Sequence, residues 1–254
     1  MSVRRQAYAA LRICYFNGIM PLWRSPLLIA AVFLTPFSFL FFLWVIAPHA
    51  LFPVGVVGGV LFTALFTGNG MLNDCAYLRL ERQLQQVFVA SPVHPVAYVL
   101  GMALSELAFA VPATALFLII LLLVHPVGAV GFVALIGVVL LTWLMATTLG
   151  FFISTLFNQL REIWPIGTLV FSTLSVLPPI FYPITEIPSA FRWVAFVAPS
   201  TFAGQLADRV AGVGGGPATG SALLDSPLLD LAGLLAATLL FGLAAVFLAR
   251  WRER

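Results

Sequence analysis

The side chains able to do covalent or metal chemistry are few and scattered. His49, His94 and His125 stand singly at the ends of apolar runs, and Cys14 and Cys75 lie far apart. There is no G-x-S-x-G segment and no pair of acids inside an apolar run, so neither a nucleophile–base pair nor a metal cluster is supplied. Lysine is absent, which excludes a phosphate-binding Walker A loop in this chain. One ionisable residue stands out. Glu106 is the only acid well inside an apolar run, where it is expected to line a pore or to hydrogen-bond a neighbouring helix. The remaining polar chemistry concentrates in "NDCAYLRLERQLQQVFVASPVHPVAYVLG", which begins at Asn73 and gathers Asp74, Arg79, Glu81 and Arg82 with a run of glutamines. Such a stretch catalyses nothing by itself; it suits either membrane contact or a groove on a partner.

The elements that carry these residues are apolar. Of 254 residues 62% are hydrophobic and 8% charged, against about a quarter charged in a soluble domain. Several continuous runs reach the roughly 20 residues that cross a bilayer as helix, and they lack the alternation of a barrel strand. The pattern predicts an all-α polytopic membrane protein, one transmembrane domain over residues 1–254. Six spans are expected: Leu27–Ile46, Val54–Leu72, Val96–Val124, Val127–Phe157, Trp164–Phe181 and Leu228–Leu248. Pro112 is expected to bend the third, and Pro178-Pro179 interrupts the fifth. The first run lacks a small-residue cleavage site, so no signal peptide is expected.

Arginine placement orients these spans. With the N-terminus inside, Arg4, Arg5, Arg12, Arg24, Arg79, Arg82, Arg161, Arg250, Arg252 and Arg254 are cytoplasmic, and only Arg192 and Arg209 lie outside. That bias predicts both termini in the cytoplasm, and both cysteines on the reducing side, unpaired. Residues 1–25 place Tyr8, Leu11, Tyr15 and Leu22 at helical spacing, as in an interfacial helix lying among lipid headgroups. Residues 73–92 fall on the cytoplasmic side between spans two and three. Asp74 is positioned to cap a helix there, in which Tyr77, Leu80, Leu84, Val87 and Phe88 form an apolar stripe opposite Arg79, Arg82, Gln83 and Gln86. Ser91-Pro92 and Pro95 end it.

Two motifs carry a family resemblance. The acid–Arg pair followed by a short helix and "ASPVHPVAYVLG" resembles the first cytoplasmic connection of type-2 ABC exporter permeases. The stretch "LPPIFYPITEIPSAFRWVAFVAPSTFAGQLADR" is similar to that family's extracellular segment before the last span. The six-span layout resembles it as well. The chain departs from the usual pattern at Gln83, Gln85 and Gln86, where Gly-Thr and Glu are common, and at Ala198, where Asn usually precedes the proline.

The resemblance implies that residues 73–92 form a coupling helix docked on a separate ATPase subunit, through Asp74, Arg79, Glu81, Arg82, Leu84, Val87 and Phe88. It implies a path or interface near spans two and five, including Asn69, Glu106, Thr173 and Tyr182. It further implies that residues 183–211 form an extracellular re-entrant helical hairpin, gated by Phe181, Pro183, Arg192 and Trp193. Pro188-Ser189 and Pro199-Ser200 read as its helix starts. Partners would be ATPase subunits, a second permease copy or paralogue, and membrane lipids, but no nucleic acid. ATP and Mg would sit on the partner subunit, with no cofactor in this chain, in a prokaryotic inner membrane. Gly58-Gly59, Gly68 and Gly70 would allow close helix approach, between permeases or within one chain. The rival reading is an ion-coupled secondary transporter using Glu106, although such a carrier is expected to show inverted repeats and several buried charges.

Overall fold

The computed structural model describes residues 3–46, 48–82, 93–213 and 226–248; among these the chain is helix and connecting turn, without a strand. Helix α1 (Val3–Cys14) passes through a π-type turn, Tyr15–Ile19, into α2 (Met20–Arg24). Ser25 then takes an extended conformation, as the residue before a proline prefers, and Pro26 opens α3 (Pro26–Ile46). There follow α4 (Phe52–Leu80), α5 (Pro95–Val124), α6 (Ala129–Ser154) and α7 (Leu160–Val176). Short α8 (Arg192–Ala195) and α9 (Pro199–Ala211) precede α10 (Pro227–Leu243) and its π-type extension Ala244–Leu248. Among the described residues, four helices are long and apolar enough to cross a membrane: α4, α5, α6 and Pro227–Phe247.

The expected boundaries are corrected in two places. The second span does not stop at Leu72 and restart with a capped helix: α4 runs unbroken to Leu80, so Asp74 lies inside a helix and caps nothing. No proline interrupts the stretch, and Gly68 and Gly70, each costing roughly 0.5–1 kcal/mol against Ala in a helix, are compensated by close packing. The fifth element is displaced the other way. It begins at Leu160 and ends at Val176, ahead of Pro178-Pro179, which cannot continue a helix. Arg161 and Glu162 therefore belong to its first turn, where an acid complements the helix dipole. Pro112 lies within α5, which continues through it.

Helix α4 is the axis of the bundle. It packs against α3, α5, α6, α7 and α9, and 83% of its apolar window is buried. The closest approach is to α6. A methyl at Gly150 would overlap the Gly68 carbonyl, and one at Gly68 would overlap the Phe171 ring of α7 and meet the Ala146 carbonyl at 2.5 Å. Gly58 and Gly59 likewise face Ile180, Phe181 and Phe117 of the same chain, so these glycines serve packing within one chain. Lipid is as apolar as leucine, so association rests on such close contact and on interhelical hydrogen bonds of about 0.6 kcal/mol on average. Two of those bonds join Thr63 to Thr114 at 2.7 Å and the Trp143 indole to the Ala103 carbonyl at 3.2 Å.

The N-terminal helix does more than lie in headgroups. Its buried face, Ala10 and Ile13, fills the space opened by Gly101 of α5, while Tyr8, Leu11 and Tyr15 remain exposed. Gln6 accepts the His94 amide at 2.9 Å, joining α1 to the turn before α5. At the opposite end of the bundle, α9 closes on Gly212 (φ 71°), the left-handed residue that ends a helix. Arg209 there pairs with the fully buried Asp230 of α10 at 3.3 Å.

The crossing yields a direct prediction. Gly68→Ala should cost about 1–3 kcal/mol through overpacking, a fall of several degrees in the thermal midpoint of the detergent-solubilised protein. Gly137→Ala on the exposed face of α6, where nothing lies within 4 Å, should leave the midpoint unchanged or raised.

Candidate functional site

The residues expected to act together at the cytoplasmic end divide in the structure. Asp74 and Arg79 lie on the last turns of α4; Glu81 and Arg82 follow it as exposed residues in a turn, and the Arg82 and Glu81 amides both bond the Tyr77 carbonyl. Arg82 folds back on Tyr77, its Nε donating to the phenol at 3.1 Å and its guanidinium 5.6 Å from the ring centre. Leu84, Val87 and Phe88 lie outside the described residues. Arg79 turns the other way: Nη2 donates to the Ser154 carbonyl at 2.7 Å and to the Phe157 carbonyl. Those two carbonyls belong to the end of α6 and the turn leading to α7.

The expectation that no acids pair within the apolar region is overturned. Glu106 of α5 is 6% exposed, and its carboxyl is hydrogen-bonded to that of Asp74. The Glu106 carboxyl fits a notch left by Gly70, where a methyl would overlap its Oε2. Cys75 and Tyr98 border the pair, and Oε1 of Glu106 has no partner among the described residues. Asp74 was assigned to a capping position in a polar loop. Once α4 is read as one helix, the same residue falls one turn beyond Gly70, beside Glu106. The signal available in sequence was the absence of any helix breaker between Leu72 and Leu80.

The other expected path residues are dispersed. Asn69 sits over Gly167 of α7, its Oδ1 2.7 Å from where a methyl would be. Thr173 is exposed on the outer face of α7, and Tyr182 donates to the Leu177 carbonyl at 3.2 Å. These do not converge with Glu106 on one lined cavity. A surface depression of about 670 Å³ follows one face of α7 instead, along Arg161, Trp164, Pro165, Thr168 and Leu169.

The outer segment is ordered by its own contacts. Phe181 is buried against Phe39, 4.3 Å between ring centres, and near Phe62 at 6.0 Å. Pro183 begins the tight turn Ile184–Glu186, and Arg192 closes the loop by donating to the Ile187 carbonyl at 2.9 Å and the Thr185 carbonyl at 3.1 Å. Trp193 is exposed, as an interfacial anchor would be. Sequence reasoning missed the Arg209–Asp230 pair, whose signal was an acid in the first turn of an otherwise apolar final helix. Near it, burial pushes the Asp208 carboxyl well above its ordinary range.

The notch predicts a coupling that a double-mutant cycle detects. Glu106→Gln, which keeps shape and can donate to Asp74, should hold the thermal midpoint within about 2 °C. Gly70→Ala should lower it by several degrees. In Gly70→Ala/Glu106→Ala the two losses should fall short of their sum by at least about 0.5 kcal/mol.

No curated protein matches the chain. Residues 9–207, spanning α1 to α9, match the membrane domain of the ABC-2 type transporter family. The membrane domain of that family is a transport subunit. The chain is a multi-pass membrane permease and belongs to the ABC-2 type transporter family.

Proposed function

We propose that this permease is one half of an ATP-driven exporter, coupled to a separate ATPase subunit through the segment beginning at Glu81. The observation that carries this reading is the continuity of α4: the most deeply packed helix of the bundle leads without a break into Glu81 and Arg82. A load applied to the segment after it reaches the core directly. Glu81 and Arg82 provide the exposed charges for docking, and Leu84, Val87 and Phe88 the apolar stripe. Six spans with both termini cytoplasmic follow from the arginine bias, in a prokaryotic inner membrane. Two permeases and two ATPase subunits form the complete transporter, with ATP and Mg held by the ATPases. The substrate is amphipathic: a lipid-linked, glycan or drug-like molecule suits a bundle rich in Phe, Thr and Gly with few internal charges. The outer loop around Phe181, Pro183, Arg192 and Trp193 stands where an exit gate belongs, and Asn69, Glu106, Thr173 and Tyr182 contribute to the path or to the permease interface.

The Asp74–Glu106 pair supports a second reading, an ion-coupled carrier in which Glu106 binds the driving proton. The two readings separate in one experiment. Co-expressed with a candidate ABC ATPase subunit and purified from membranes, the permease should retain that subunit and raise its ATP hydrolysis. Glu81→Ala/Arg82→Ala should weaken the association about tenfold, the worth of one charge-assisted hydrogen bond. Glu106→Gln should leave the association intact. A permease that holds no ATPase, and that accumulates or expels solute only under a proton gradient and only with Glu106 present, would establish the carrier instead.

A further inference from the structure

A close crossing between two helices is a pivot as well as a contact. At Gly68 and Gly150 the backbones of α4 and α6 touch, and with that contact alone the two helices could scissor about it. Arg79 lies 11 residues beyond Gly68, or ~16 Å along the helix at 1.5 Å per residue. There its Nη2 donates to the Ser154 carbonyl at 2.7 Å and to the Phe157 carbonyl. The last carbonyls of a helix lack intrahelical partners and form the negative end of its dipole. A guanidinium is the side chain best shaped to take two of them at once, and it does not lose its charge. The second tie removes the rotation that the first allows. Phe157 stands three residues ahead of Leu160, where α7 begins, so one side chain joins the foot of α4 to the end of α6 and to the turn that leads into α7.

We propose that Arg79 is the positioning residue that makes α4, α6 and α7 move as one body when the segment after α4 is displaced, and that it is not an ATPase contact. This rests on the functional reading above. It assigns to Arg79 a role different from that of Glu81 and Arg82, which are exposed and two and three residues away. Arg79 is half-buried and directed into the bundle.

The test uses the permease–ATPase complex in lipid nanodiscs with Arg79→Met, which keeps the length of the side chain, and Arg79→Lys, which keeps the charge and reaches one carbonyl. The expected result is copurification of the ATPase within twofold of wild type for both variants. Permease-stimulated kcat for ATP should fall at least fivefold in Arg79→Met, with KM for ATP within twofold, and Arg79→Lys should restore at least half of the loss. A side chain that only stabilised the fold would lower the yield of complex and leave kcat per complex unchanged. Wild-type kcat in Arg79→Met overturns the proposal. So does loss of the ATPase to the extent seen with Glu81→Ala/Arg82→Ala, since Arg79 would then be a docking contact. Should Arg79→Met not accumulate, Arg79→Lys alone decides: a two- to threefold fall in kcat with normal association supports the proposal, and no fall overturns it. A wild-type permease that retains no ATPase fails at the first step and removes the functional reading together with this one.

Discussion

Helices in lipid gain nothing from hiding apolar surface, so the bundle depends on how closely α4 can approach its neighbours. The contact at Gly68 and Gly150 sets that distance. With the backbones touching, Phe171 can lie across Gly68, Glu106 can reach the notch at Gly70, and Arg79 comes within reach of the end of α6. Each of these contacts would be lost if α4 were held a methyl group further out. The helix also shows why propensity is a poor guide here. Its Gly-rich sequence is unfavourable for an isolated helix, yet it forms the most buried helix in the chain because the missing side chains are what its neighbours occupy.

The internal charges follow from the same constraint. An ionised group in an apolar bundle is expensive unless paired, and several of the charged groups inside this bundle are held by another element. Asp74 and Glu106 meet between α4 and α5, Arg79 binds carbonyls of α6 and the following turn, and Arg209 joins Asp230 between α9 and α10. Each tie crosses a helix–helix contact, where it adds directional bonding to packing that is otherwise non-specific. Polar residues therefore report which helices are neighbours.

Much of this was legible in the sequence. The apolar runs located the starts of α3, α5 and α10 to within a residue, because a continuous run bounded by Pro26, Pro95 or Pro227 has little freedom in where it starts. Pro188-Ser189 and Pro199-Ser200 likewise marked the turns and helix of the outer segment. The end of α4 was not legible. Polarity was taken as the end of the span, whereas a helix continues into a polar stretch as long as nothing breaks it. That one misplaced boundary hid the Asp74–Glu106 pair and turned Arg79 into a surface residue. The partners of Arg79 and Arg209 are 75 and 21 residues away in sequence, and pairings at such separations are fixed by helix packing that periodicity does not encode.

The two ends of α4 are held by different physics, and this bears on how a transporter of this design would work. Toward its C-terminal end the ties are charge-assisted or carboxyl hydrogen bonds, directional and costly to break. At its outer end it meets Phe39, Phe117 and Phe181 through rings stacked or tilted against Gly58, Gly59 and Phe62. Aromatic contacts of that kind are worth about 0.5–1.5 kcal/mol each beyond burial, and rings can slide from one packing to another without leaving a polar group bare. On the proposed reading, load enters at the cytoplasmic end, where rigidity preserves it, and is released at the outer end, where rearrangement is cheap. A bundle tied at both ends would resist opening, and one tied at neither would absorb the load in its own helices; the observed asymmetry is the arrangement that lets displacement of the inner segment become movement at the outer one.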